Sequence, residues 1–199
     1  MKKIVIAGLF LFSWFAIPAQ AVTHHRWPLS FFASPEASRW FDHTAQCGYL
    51  CRYDGAGNPG GSGHNGTDIS PNGITTPNVR AGALGNLYYK KDGCFNNDSS
   101  SGCVGYGNHV RILHPDGKVT INAHLQTGTM PGTGSIACGV IVGVMGNTGT
   151  STGQHLHLEM WSDIYATQRI DHFGGAYSGL VYWVSQNANG YGKPSMVCE

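Results

Sequence analysis

The chain has 199 residues with twelve Lys and Arg against eleven Asp and Glu, and only 12% of its residues are charged. That balance excludes a strongly basic nucleic-acid binder, and 41% hydrophobic residues exclude a wholly disordered chain. The length suits one domain, and 29 glycines at such low charge favour strands and tight turns over long helices.

Lys2 and Lys3 precede an apolar run from Ile4 to Ile17, and Ala19-Gln20-Ala21 supplies a small-x-small cleavage site. This is the order of a secretory signal peptide over residues 1–21. The apolar run is shorter than the roughly 20 residues that span a bilayer. No second run suggests a membrane span after its removal. Loss of two lysines leaves ten basic against eleven acidic residues, so the exported chain has no strong electrostatic grip on a polyanion. A periplasmic or secreted location makes disulfides the default for Cys47, Cys51, Cys94, Cys103, Cys138 and Cys198. Six cysteines allow about 15 pairings, which sequence alone does not choose among; Cys94 and Cys103 flank a polar loop and are expected to staple it, and Cys47 with Cys51 and Cys138 with Cys198 is one pairing of the remaining four. Thiolate zinc is disfavoured, since no C-x-x-C pair exists.

Residues 22–59 read as an irregular N-terminal segment, closed by the Gly/Pro/Asn-rich stretch from Asp54 to Gly63. Strand signals dominate beyond it. Val110 to Leu113 is apolar-rich, Pro115-Asp116-Gly117 is a turn, and Val119, Ile121, Ala123 and Leu125 alternate with Thr120, Asn122 and His124. The pattern predicts an antiparallel hairpin with one buried face. Val140–Met145 and His155–Trp161 are further strands, joined by a Gly/Ser/Thr loop over 146–153.

Of ten histidines, His24, His25, His43, His109, His114 and His172 read as solvated or hydrogen-bonded structural residues. In Gln154-His155-Leu156-His157-Leu158-Glu159, period two puts both imidazoles on one face and both leucines in a core. Two adjacent imidazoles are poor core material and good metal chemistry, although an open sheet face would also accept them. In His64-Asn65-Gly66-Thr67-Asp68, imidazole and carboxylate both suit zinc, and Gly66 lets the chain bend so that both reach one ion. A turn capped by Asp explains this segment equally well. His124 alone reads as a satisfied strand histidine.

Taken together, His64-Asn65-Gly66-Thr67-Asp68, Ala123-His124-Leu125 and Gly149 to Glu159 resemble, in order and spacing, the lysostaphin-type zinc peptidases of family M23, also called LytM-domain proteins. The resemblance covers roughly residues 60–162. It implies a mainly β fold with an antiparallel sheet and an open groove (a duplicated hybrid motif-like domain). The expected layout is a peptidase core over 60–165 and a C-terminal extension, 166–199, packed on the same domain. It implies that His64, Asp68 and His157 are zinc ligands and that His124 and His155 are the catalytic pair. Three protein ligands would leave a fourth position for water. The implied substrate is the peptide part of peptidoglycan. Two positions depart from the family: Asn122 stands where a tyrosine often precedes Ala-His-Leu, and Asn58 where some members place a transition-state tyrosine. The rival functions are a non-catalytic LytM-type activator of another wall hydrolase and a secreted protease on Gly-rich proteins.

Overall fold

The computed structural model describes residues 21–30, 64–98, 100–172, 182–184 and 195–199. The signal-peptide segment, Asn58, Cys47, Cys51 and His43 lie outside the described residues. Within them the fold is all β and every strand pairing is antiparallel, with nine strands and no helix. No described helix is long and apolar enough to cross a membrane.

The strands are β1 (Thr67–Ile69), β2 (Asn78–Arg80), β3 (Gly85–Lys91), β4 (His109–Leu113), β5 (Val119–Ala123), β6 (Gly134–Ile136), β7 (Ile141–Val144), β8 (Leu156–Trp161) and β9 (Arg169–Ile170). The larger sheet runs β1-β8-β5-β4-β3-β6, with β9 also on β8; β2 and β7 form a second sheet. β4 and β5 are the expected hairpin, and β7 and β8 fall where the apolar runs predict strands.

The hairpin has two buried faces, not one: all five residues of β5 are buried. Cross-strand partners share a face, so Asn122 lies with Val110 and Leu158, and Ile121 with Arg111 and Glu159. The face carrying Asn122 looks into the main core of Ile69, Val110, Ile112, Leu156, Leu158 and Trp27. Val119, Ile121 and Ala123 pack instead with Trp161 in a smaller cluster on the other side, against Tyr106 and Leu113. The polar alternates therefore face the larger core. Thr120 is satisfied there by His114, whose Nε2 lies 2.8 Å from its Oγ1.

The alternation also breaks before Leu125. β5 ends at Ala123, and His124 has φ +61°, a left-handed conformation uncommon for a residue with a side chain. That twist sends Leu125 into the main core while its period-two mates sit in the smaller cluster. His124 thus leaves the strand face on which alternation places it.

The described terminal pieces run alongside one another. His25 N donates to Tyr182 O and Trp27 N to Ser195 O, both at 2.7 Å, and Cys138 is bonded to Cys198. Three buried imidazoles gather at this junction. The His25 ring lies 4.5 Å from that of His114 and 5.7 Å from that of His172, which stacks on Trp183. His25, His114 and His172 are buried and not solvated, and His114 takes the hydrogen-bonded role expected of it, with Leu84 O and Thr120 Oγ1. The Cys94–Cys103 bond is present as expected.

Candidate functional site

β8 is the scaffold of the site because it pairs on both sides. Asp68 of β1 stands directly opposite His157, and Ala123 of β5 stands opposite it on the other side. Directly opposed residues of antiparallel strands share a face with close Cβ atoms. The Asp68 carboxylate and His157 imidazole are thereby fixed by ladder register. Leu156 and Leu158 point the other way into the main core, as their period requires.

His64 precedes β1 by one turn and folds back so that its Nε2 is 3.1 Å from Asp68 Oδ1. His157 Nδ1 is 2.8 Å from the same oxygen. One potential ligand atom each from His64, Asp68 and His157 lies within 4.8 Å of the others. The chain bends at Gly66 as expected, and glycine is required there for space. A Cβ on it would lie 2.5 Å from Leu158 O and 2.8 Å from His157 Cε1. Burial alone would raise the Asp68 carboxyl, but hydrogen bonds from His157 and His64 prevail and hold it far below the usual carboxylate range. Burial alone would lower His157, yet Asp68 and Glu159 carry it up to about 9. Two imidazoles converging on one carboxylate oxygen form a donor set suited to a borderline cation such as zinc, so the residues fit the metal that the sequence implies.

His155 lies just ahead of β8. Its Nδ1 faces Gly153 O at 2.8 Å, and its Nε2 is 3.6 Å from Asp68 Oδ1. His124 Nδ1 faces Thr148 O at 2.7 Å. A backbone carbonyl can only accept, so each ring carries a proton on Nδ1 and turns Nε2 toward the site. The two ring centroids are 4.6 Å apart, and that of His124 is 5.8 Å from His157. Burial, with His155 and His157 nearby, pushes His124 down to about 3, so it stays neutral. All five residues singled out in the sequence stand together at the edge where β1, β5 and β8 meet.

Sequence reasoning missed the group behind them. Glu159 is 1% exposed. Its Oε2 accepts from Tyr106 OH at 2.5 Å and faces His157 Nε2 at 3.2 Å; its Oε1 accepts from Trp161 Nε1 at 2.6 Å and Arg169 Nε at 2.9 Å. Burial raises the Glu159 carboxyl, but these donors, His157 first, take it down to about 2. With Nε2–H held by Glu159, Nδ1 on the Asp68 side is the nitrogen of His157 that can give a lone pair to a cation once its own proton leaves. The period that paired His155 with His157 carries on to Glu159 and Trp161, which was the available signal. Tyr106 had none, since it arrives from the disulfide loop. Asn122, the first departure from the family pattern, is turned into the main core and does not line the site.

Comparison with known proteins supports this reading. Residues 62–171 match the model of peptidase family M23. A DD-carboxypeptidase/endopeptidase Mpg of Neisseria meningitidis is 46% identical over 55 residues, which is 28% of this chain and 13% of that protein. The match therefore spans only about an eighth of the relative's length. Among solved structures, a zinc-containing peptidase from Vibrio cholerae aligns with a TM-score of 0.54 at 19% identity, covering 78% of this chain and 40% of that one. The SpoIIQ–SpoIIIAH pore-forming complex gives 0.52 at 16% identity, covering 76% and 89%. These likenesses speak for the fold alone. The family match takes in more than half of the sequence and contains every residue of the site just described: the chain belongs to peptidase family M23.

Proposed function

We propose that this protein is an exported zinc metallopeptidase that hydrolyses peptide crosslinks of bacterial peptidoglycan, with His64, Asp68 and His157 as ligands and His124 and His155 as catalytic residues. The observation that carries the reading is the pairing of a three-residue ligand set with two adjacent imidazoles, each anchored through Nδ1 to a backbone carbonyl.

A cation held there supplies Lewis acidity toward the scissile carbonyl and toward water. The chain does the rest. Nε2 of His155 or His124 takes the proton of the attacking water, and the resulting imidazolium donates to the developing oxyanion or the leaving amine. Gly153 O and Thr148 O keep both Nδ1 protons in place throughout and so fix each ring's orientation. Glu159 fixes His157 in the tautomer that offers Nδ1. The Mpg relative and the N-terminal export signal support a wall substrate and a periplasmic or secreted location.

The test is mass analysis of peptides released from purified sacculi of two crosslink chemistries, with and without chelator, by wild type and His155→Ala. Release that needs both the metal and His155 is expected. Equal release by the two proteins would remove the catalytic assignment. Activation of a separate wall amidase by a ligand-deficient Asp68→Ala protein would favour the activator role.

A further inference from the structure

The proposed mechanism leaves the disulfide-closed loop unused, although it reaches the backbone that orients both catalytic histidines. The 146–153 loop is built of small residues with only Gly146 and Thr148 buried, so little in its own sequence fixes its conformation. It is held from outside. Asn96 Oδ1 accepts from Asn147 N at 2.9 Å, Asn97 Oδ1 from Asn147 Nδ2 at 2.8 Å, and Asn97 N donates to Asn147 O at 3.0 Å. Thr150 N donates to Gly105 O at 2.9 Å, and Gly105 N donates to Thr150 Oγ1 at 3.0 Å. The backbones touch between them: a Cβ on Gly107 would lie 2.5 Å from Gly149 N, and one on Gly149 2.4 Å from Gly105 O.

These contacts lead to the histidines by two short routes. Asn147 Oδ1 accepts from Ser151 Oγ at 2.5 Å, and Ser151 Oγ lies 3.2 Å from His155 Nδ1. Tyr106 O accepts from His124 N at 3.0 Å, while Thr148 O holds the His124 ring. Asn108, fully buried, joins the two ends. It receives Cys94 N on Oδ1 at 2.9 Å, donates from Nδ2 to Cys94 O and Leu125 O, and accepts no side chain of the metal site.

We propose that the loop from Cys94 to Asn108 is a positioning clamp for the His124–His155 pair, acting through the 147–153 loop, while the metal ligands are placed by β1 and β8 and meet the loop at Tyr106. The proposal rests on the catalytic assignment of those two histidines for its kinetic consequence. Its geometric content stands apart from it. Within the loop Tyr106 reaches the ligand side, with its hydroxyl on Glu159 and its ring 5.8 Å from that of His157; Asn96, Asn97 and Gly105 bond the 147–153 loop instead, so loosening those contacts should disturb the histidine pair and leave the cation site intact.

Two variants of the full chain test this: Cys94→Ser/Cys103→Ser, which opens the loop, and Asn96→Ala/Asn97→Gly, which keeps the disulfide. Asn97 has φ +61°, so glycine preserves its backbone while removing the amide. Long-range proton–nitrogen spectra of the imidazoles, metal-free and zinc-loaded, report each tautomer. His124 and His155 should lose their single Nδ1–H tautomer in both variants, while His64 and His157 keep the wild-type signals and zinc stoichiometry is unchanged. With sacculi as substrate, kcat should fall about tenfold or more with little change in KM. Retention of both tautomers refutes the clamp; so does joint loss of zinc and of all four signals, which would make the loop a general staple. If wild type shows the tautomers but releases no peptide, the peptidase reading fails and the spectra alone decide the clamp.

Discussion

Replacing Glu159 with Gln asks whether the buried carboxylate behind the site serves the metal or only the core. The change is nearly isosteric but removes one negative charge and turns one acceptor oxygen into a donor. Four donors now meet that carboxylate, from Tyr106, His157, Trp161 and Arg169, at 2.5 to 3.2 Å. An amide has one oxygen, so the NH2 group must face two of those donors. Removing one partner of a buried charge pair costs about 3–5 kcal/mol. Arg169 keeps a 37% exposed side chain and can turn to water, which puts the expectation at about 3 kcal/mol. For a chain of this size that is a drop of roughly 6–12 °C in Tm. Loss of the hydrogen bond on Nε2 also frees His157 to change tautomer, and partners of this kind are worth about 10–100-fold in metal affinity. The assays are urea unfolding of the metal-free protein and competition for zinc against a chromogenic chelator. Stability within about 0.5 kcal/mol of wild type, together with unchanged zinc affinity, would refute the argument. Loss of stability alone would confine Glu159 to the core.

Three further outcomes are expected. Gly66→Ala should lower zinc affinity and stability together, because its Cβ meets Leu158 O at 2.5 Å and the His157 ring at 2.8 Å; calorimetric zinc titration that matches wild type would sink this. Burial, with His114 beside it, pushes His172 down to about 3, and burial pushes His109 down to about 4. Both take up protons on unfolding, so their stability contribution is complete above about pH 6.5 and drains away as pH falls, by about 1.4 kcal/mol per unit each. His157, raised to about 9, acts in the opposite sense and loses its contribution only as pH climbs. His109 and His172 alone should weaken urea unfolding with chelator by about 3–4 kcal/mol from pH 6.5 to 5, His25, His114 and His124 being lowered by burial in the same sense, and His172→Phe should flatten that slope. Removing the Cys138–Cys198 bond, which spans 60 residues, should cost about 4 kcal/mol through the freed unfolded chain, with zinc affinity unchanged; equal unfolding midpoints in the variant and wild type would contradict it.

The sequence by itself carried the ligand set, because the elements bearing it are short and regular. Period two in His155-Leu156-His157-Leu158 determines which residues face the site and which the core, wherever the strand lies. The Cys94–Cys103 disulfide was legible for a similar reason, because export favours oxidation and the polar loop between them is short; the Cys138–Cys198 pairing joins residues 60 apart and is set by the fold. The hairpin of β4 and β5 was legible from its turn and its alternation. Tertiary structure decided what local pattern cannot encode. β5 is buried on both faces because the fold lays a second cluster over the side that alternation leaves open, and Thr120 and Asn122 occupy the larger core. His124 leaves its strand face through one left-handed residue, and no local rule calls for that conformation at a histidine. Gly66 is fixed by the approach of β8, more than eighty residues away. Glu159 became a hub only when Tyr106 and Arg169 arrived from distant segments to meet it. Periodicity fixes the direction of a side chain relative to its own strand; what stands opposite depends on contacts between residues far apart in the chain, which only the assembled sheet brings together.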